Sequence, residues 1–420
     1  MISSAHLRCA AAAAIGFALT TAHPLGIASA ILMPALALSQ PTRRMSWAAA
    51  VSYYAGALWP IIPGANNFFG PDVSAIGAVV LWAFSGAALA SVWPLMWSSD
   101  RRQALWRSSV ALLLTVTPPL GIIGFASPLT AAGFLFPGAA WCGLLVCAIF
   151  SGALAAYPRM ALLALAALAV PINMLHRNPE PLRGWQGIDT NFGPIAQGDA
   201  DPVVEYRAAE WIQERSLSAD AKVIVFPETV VPAWTAATEA FWQQTLARLR
   251  ASGKTILLGA RIPAHYQISP QQTYDFSADL AALETGLSDP FPPVRRSLNL
   301  MAEFAYDNAV MIRGAENADF LQRIPVPFAM WKPFQSHGAR LNMFGPGVIR
   351  IDGQRAAVLI CYELLITWPA LASFVDNPTV LIAVANDHWA TGTPIHSFQL
   401  AAVGAWSRLF GVPAVTATNR

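Results

Sequence analysis

Val223-Ile224-Val225-Phe226-Pro227-Glu228 is a run of β-branched and aromatic residues that stops at a proline and delivers a carboxylate. Four apolar residues bounded by a breaker fit a short strand buried on both faces. Working outward, Thr238 to Ala251 reads as a helix with Ser252 and Gly253 as its stop, and Thr255 to Leu258 as a second strand ending at Gly259. Strand, helix, strand is the repeating unit of an α/β sheet. Further strands are expected at Ala309 to Ile312, Val348 to Ile351, Ala356 to Ile360 and Val380 to Ala385. Of these, Ala356 to Ile360 runs straight into Cys361, and Val380 to Ala385 into Asn386 and Asp387. The stretch from Tyr266 to Pro293, with several prolines and acids, reads as a long insertion or loop.

That α/β half accounts for only part of the 420 residues. The whole chain is 55% apolar and 12% charged, about half the roughly 25% charged share of ordinary soluble domains. A formal net charge of +2 leaves no large basic footprint, so nucleic-acid binding is excluded as a main role and no nucleic-acid contact is expected. Charge is also unevenly placed. From Met1 to Leu175 the only acids are Asp72 and Asp100, lysine is absent, and the basic residues are Arg8, Arg43, Arg44, Arg101, Arg102, Arg107 and Arg159. The expected organisation is a multi-pass α-helical membrane domain over residues 1–175, a linker over 176–184, and an α/β domain over 185–420.

A bilayer core of roughly 30 Å takes about 20 apolar residues of helix. The best spans are Val73 to Trp97, Val110 to Ala126 and Leu129 to Tyr157; shorter candidates are Cys9 to Thr21, Leu25 to Ser39, Trp47 to Ile62 and Met160 to Leu175. With about seven crossings, every arginine cluster falls on one side, while the loops at His23, Pro63 to Asp72 and Ser127 to Pro128 carry no lysine or arginine. That segregation places the N-terminus on the inner side of the membrane and the part after Leu175 outside. A competing reading makes Arg8, the alanine-rich run and Ala28-Ser29-Ala30 a signal peptide. No carboxylate or lysine lies inside the spans, which argues against an ion-coupled transporter.

Two reactive side chains, Glu228 and Cys361, follow apolar strands at their C-terminal ends, the edge where open α/β sheets bind ligands. Sharing one pocket, the carboxylate would serve as the base that turns the thiol into a thiolate. Glu363, two residues after Cys361, would reinforce or orient that arrangement. Cys9, Cys142 and Cys147 sit in apolar stretches. They leave Cys361 without a metal pair or disulfide framework, so neither a metal nor a cofactor is expected.

The segments Phe226-Pro227-Glu228-Thr229, Cys361-Tyr362-Glu363 and Asn386-Asp387-His388-Trp389 resemble the nitrilase, or carbon-nitrogen hydrolase, superfamily. Tyr306 to Ala309, Val326-Pro327-Phe328 and His396 to Gln399 follow in family-like order. The apolar half in front makes the chain resemble the apolipoprotein N-acyltransferase branch, and within it the shortened forms found among the conjugal transfer proteins of bacterial plasmids. The resemblance implies a four-layer αββα sandwich. It implies Glu228 as base and Cys361 as nucleophile; Glu363 and Arg323 are the candidate supporting groups, and Tyr362 and Trp389 the candidate substrate-binding residues. The implied reaction is an acyl transfer or amidase reaction: Cys361 takes a fatty acyl group from a membrane phospholipid and passes it to an amine acceptor.

The chain departs from that family where its lysine belongs. Four residues before Val326-Pro327-Phe328 stands Gln322, with Arg323 beside it, and the glutamate two residues after the triplet is replaced by Met330. Arginine donates hydrogen bonds to an oxyanion but gives up no proton near neutral pH. Loss of one oxyanion donor costs about 10²- to 10³-fold in rate. Lys332 lies nearby and needs a different loop path to reach the pocket. The sequence ends at Arg420, just after Thr418-Asn419, where the acyltransferases continue into a last membrane helix; that helix is expected to be missing. The alternative function is a noncatalytic membrane component that contacts proteins of the mating apparatus.

Overall fold

A computed structural model describes residues 3–69, 74–193, 202–264 and 305–420. The expected insertion at Tyr266 to Pro293 lies outside the described residues, as does Asp72. Packing divides the chain into two compact units. One comprises Met1–Pro181, Arg355–Leu381 and Trp389–Ala414; the other comprises Leu182–Gln354, Ile382–His388 and Val415–Arg420.

The first unit is helical over its N-terminal part, with helices Ser4–Thr20, Pro24–Ser29, Leu32–Leu38, Arg43–Leu58, Ile61–Phe69, Ala75–Ala90, Val92–Met96, Ala104–Val116, Ala140–Ala156 and Pro158–Leu175. Side-chain oxygens set several starts: Thr42 Oγ1 accepts from the Met45 N–H at 3.2 Å and Ser74 Oγ from the Gly77 N–H at 3.2 Å. Small residues let the backbones approach. A Cβ on Gly16 would sit 2.1 Å from the Tyr53 carbonyl oxygen, and one on Gly56 would sit 2.4 Å from that of Ala13, so Ser4–Thr20 and Arg43–Leu58 touch backbone to backbone. Among the described residues two helices, Ala75–Met96 and Pro158–Leu175, are long and apolar enough to cross a bilayer; Ser4–Thr20, Pro24–Leu38 and Ala140–Ala156 are apolar but shorter.

Three expectations for this half are corrected. The span expected at Val110 to Ala126 stops as a helix at Val116. Pro118 and Pro119 lack amide donors, and a proline pushes the residue before it out of the helical region. The span expected at Leu129 to Tyr157 is broken between Leu135 and Ala140. There Gly138, at φ +78°, gives its N–H to the Arg408 carbonyl at 2.8 Å instead of to a helix. The loop expected at Pro63 to Asp72 is helical as far as Phe69; Pro63 falls in the first turn, where a missing N–H costs nothing.

In the second unit, β1 (Trp185–Gly187), β2 (Val223–Val225), β3 (Thr255–Pro263), β4 (Ala305–Gly314), β5 (Ala318–Leu321) and β6 (Gly338–Ala339) form a mixed sheet. Its order is β1-β2-β3-β4-β5, and β6 pairs with β4. β1, β2 and β3 are parallel, with Val223 opposite both Trp185 and Thr255. β3 and β4 are antiparallel over nine pairs from Thr255↔Gly314 to Pro263↔Tyr306. Helices Pro202–Ser218 and Ala236–Ala251 follow β1 and β2, as crossovers between parallel strands require. Ile212, Trp242 and Leu249 from these helices join Ile224, Phe226, Ile256 and Leu258 in one buried cluster. Each such side chain contributes about 1.5–3 kcal/mol through burial. A second sheet has the order β10-β9-β8-β7, where β7 is Val348–Ile351, β8 Gln354–Ile360, β9 Val380–Asn386 and β10 Ala414–Asn419.

The strand expected to end at Gly259 continues to Pro263. Gly259 is a point of close approach within a strand: a Cβ there would lie 2.3 Å from the Pro227 carbonyl oxygen and 2.4 Å from Glu228 Cα. The glycine lets the chain leaving β2 cross tightly over β3, and so sets where Glu228 stands.

Candidate functional site

Glu228 follows β2 by three residues and is buried. Both its carboxylate oxygens accept hydrogen bonds. Oε1 takes one from Asn308 Nδ2 at 2.5 Å, and Oε2 takes one from the backbone N–H of Asn386, at the end of β9, at 3.0 Å. Donors of this kind favour the ionised carboxylate. Asn308 lies on β4, and its Nδ2 also donates to Gln322 Oε1 at 2.8 Å. Gln322 is held by its own backbone as well, the N–H donating to the Asn308 carbonyl at 2.7 Å. Thr229, directly after Glu228, has φ +52°, a conformation few non-glycine residues adopt and one that gathers at functional sites. Burial pushes the Tyr306 phenol above its usual range; Arg261 draws it down and the Glu228 carboxylate pushes it further up.

The polar chain continues beyond Glu228. Asn386 Oδ1 accepts from Asn419 Nδ2 at 3.1 Å, and Asn419 Oδ1 accepts from Thr190 Oγ1 at 2.9 Å and from the Phe192 N–H at 2.9 Å. A buried carboxylate is thus held by the Asn308 side-chain amide and the Asn386 backbone, with a chain of neutral amides running on from each.

In the first unit, β8 delivers Cys361 into a short 3₁₀ turn, Cys361–Leu364. Cys361 has φ +52° and is buried. Its backbone is pinned on both sides. Glu363 Oε2 accepts the Ile360 N–H at 3.1 Å, and Gln399 Nε2 donates to the Cys361 carbonyl at 3.3 Å. Tyr362 donates its hydroxyl to the Ile122 carbonyl at 3.1 Å, and burial pushes its phenol up. A strand that turns sharply through a left-handed residue is a device for presenting one side chain at a sheet edge.

Comparison with known proteins gives the chain its relatives. It is 30% identical over 431 residues to the conjugal transfer protein TraB of Agrobacterium fabrum, covering 97% of this chain and 90% of that one. The chain belongs to the TraB family of conjugal transfer proteins. A probable conjugal transfer protein TraB of Sinorhizobium fredii is 27% identical over 401 residues, covering 93% of this chain and 92% of its own length. No protein-family model matches. Among solved structures the chain is similar to an amidase from Nesterenkonia sp. AN1, at 9% identity and a TM-score of 0.30 over 55% of this chain and 76% of that one. A mutant of that amidase, described as from the nitrilase superfamily, matches at 9% identity and a TM-score of 0.28 over 48% and 63%.

Within this TraB-family chain the other expected site residues are placed as follows. Gln322, at the position where the family resemblance calls for a lysine, is buried and bonded to Asn308. Arg323 is buried, its guanidinium 5.9 Å from the centre of the Phe320 ring. Glu363 is fully buried and holds the turn that carries Cys361. Trp389 packs against Phe68 in a T-shaped pair, ring centres 5.8 Å apart, and lies beside Gly64, where a Cβ would approach it to 3.1 Å. Lys332 stands 3.4 Å from His337. The sequence reading missed Asn308 and Gln399 as partners of the two reactive residues. Both lie in segments it quoted as family-like, Tyr306 to Ala309 and His396 to Gln399, and that order was the available signal.

Proposed function

We propose that this TraB-family chain is an inner-membrane protein that assists conjugal plasmid transfer, with its nitrilase-type α/β part facing the periplasm. In this reading Glu228 is the base and Cys361 the nucleophile of a diverged acyltransferase or amidase. The Cys361 Sγ attacks an acyl carbonyl and its proton passes by way of the base to the leaving alcohol or amine; an amine acceptor then takes the acyl group from the thioester, and the proton it loses returns by way of the base to Sγ. One observation carries the reading: a buried cysteine held in left-handed backbone at the end of β8, clamped by Glu363 and Gln399. A packing cysteine has no need of that geometry. The apolar faces of the helical unit support the membrane part, since Met160, Leu163, Met174 and Leu175 on one helix all stand exposed.

The direct test is incubation of the purified protein with a phospholipid carrying a labelled acyl chain, followed by a search for a thioester on Cys361. Failure to form the adduct, with Cys361→Ala indistinguishable from wild type, would sink the catalytic reading. A second reading has its own support. Gln322 completes a Glu228-Asn308-Gln322 hydrogen-bond chain with a neutral amide at the seat of the expected lysine, which suits a noncatalytic component acting through protein contacts. On that reading Cys361→Ala and Glu228→Gln keep full mating frequency; a large drop in correctly folded variants would refute it.

A further inference from the structure

We propose that the segment from Phe328 to Phe344 is a docking surface for the headgroup layer of an anionic phospholipid bilayer. The proposal rests on the membrane reading above and adds a contact made by the α/β part itself. Its starting point is exposure. Phe334 projects entirely into solvent, Phe344 is 80% exposed and Phe328 is 54% exposed. An isolated exposed aromatic means little, but three on one short segment form an unusual apolar display.

The display is built rather than loose. Phe328 donates its N–H to the Trp331 carbonyl at 2.8 Å, and Met330 and Trp331 both donate to the Val326 carbonyl. Ala339 donates to the Met330 carbonyl at 2.8 Å and Asn342 to the Arg323 carbonyl at 3.0 Å. β6 then ties the segment to β4 through Ala305↔Gly338 and Tyr306↔Ala339. On this scaffold Phe328 has φ +64° and Phe334 has φ +67°. Left-handed backbone is disfavoured for bulky side chains and persists where the surroundings impose it, commonly for a functional reason. Neither ring repays that strain by burial in the fold.

Charge identifies the partner. Between Asp319 and Asp352 there is no carboxylate, while Arg323, Lys332, Arg340 and Arg350 fall in the interval. Arg323 is buried, and Arg340 pairs with Asp307. Lys332, beside His337, then gives the segment its positive character. Exposed aromatic rings on a stretch that carries Lys332 and has no acid between Asp319 and Asp352 match the bilayer interface, where rings enter the headgroup region and cations meet phosphate.

The test uses the full chain reconstituted in lipid nanodiscs of phosphatidylcholine, with or without phosphatidylglycerol. A polarity-sensitive fluorophore is attached at Phe334→Cys, in a Cys9→Ser/Cys142→Ser background, and at Phe344→Cys in a separate protein. Incorporation into discs reports on the membrane reading by itself. The expected result is a blue-shifted label quenched by headgroup-region spin-labelled lipid and shielded from iodide in the anionic discs only. Lys332→Ala should lower the ratio of docked to undocked label about fivefold. A label equally open to iodide in both disc types overturns the proposal. So does equal lipid quenching in both, or a label already shielded in detergent micelles, where the protein itself would be covering the rings.

Discussion

Asn308→Ala removes the side chain that joins Glu228 to Gln322, and its cost follows from the geometry. The variant loses an N–H···carboxylate bond of 2.5 Å and an amide–amide bond of 2.8 Å, both in buried surroundings. A hydrogen bond to a charged group contributes about 1.5–3 kcal/mol and a neutral one about 1 kcal/mol. The Asn386 N–H still serves Oε2, so the loss is partial, and about 3 kcal/mol is expected for the second unit. β3 and β4 pair alongside Asn308, so native-state hydrogen exchange of Leu257 to Ile262 amides is the suitable assay. An opening free energy lower by about 3 kcal/mol speeds exchange on the order of 100-fold. Asn308→Asp, of the same shape, places a second carboxyl beside Glu228 and should be worse at neutral pH and recover as the pair shares a proton in acid. If Asn308→Ala exchanges within about threefold of wild type, about 0.6 kcal/mol, the amide is not supporting the carboxylate and the reasoning fails.

Burial lifts the Glu205 carboxyl to about 7, and its Oε1 is buried with no hydrogen-bond partner among the described residues. The folded state then holds a proton that the unfolded chain gives up near pH 4.3, so stability falls as pH rises between those values. Melting of Glu205→Gln should be flat across that window, and a wild-type melting temperature that rises there would contradict the assignment. Gly259→Ala forces a Cβ within 2.4 Å of backbone on the Pro227-Glu228 segment. It should destabilise by at least about 2 kcal/mol and lower mating frequency; unchanged urea unfolding would refute the close approach. At φ +52°, Cys361→Gly relieves a left-handed strain that Cys361→Ala keeps. The glycine variant should therefore unfold no earlier than the alanine variant, by a margin of about 1 kcal/mol, and a clearly weaker glycine variant would argue against strain at that turn.

Local patterning made much of the α/β part legible. Val223–Val225, Val348–Ile351 and Val380–Asn386 are β-branched runs whose boundaries differ from expectation by a residue at most, and Ala236–Ala251 begins at a Thr235 cap and ends before Ser252-Gly253. β1, β5, β6 and β10 were not foreseen. Trp185–Gly187 is too short to show a period, and Ala318–Leu321 owes its strand form to pairing with β4. In the helical part composition revealed apolar helices but misjudged where they break, because Pro118-Pro119 and Gly138 act on single backbone positions that a hydropathy average smooths away.

The sequence by itself determined the strands that end at Glu228 and Cys361, and showed Gln322 where the family resemblance has a lysine. Each of these is a property of neighbouring residues: side-chain alternation, a breaker, a missing charge. Only the tertiary structure decided what holds Glu228, because Asn308 and Asn386 are 80 and 158 residues away in the chain. It also decided that Gly259 is a crossing point rather than a stop, and that Phe328 and Phe334 stand outward in left-handed backbone. Hydrogen-bond partners and close approaches depend on which strands lie side by side, and that pairing is settled by burial summed over the whole sheet, which no single stretch of residues encodes.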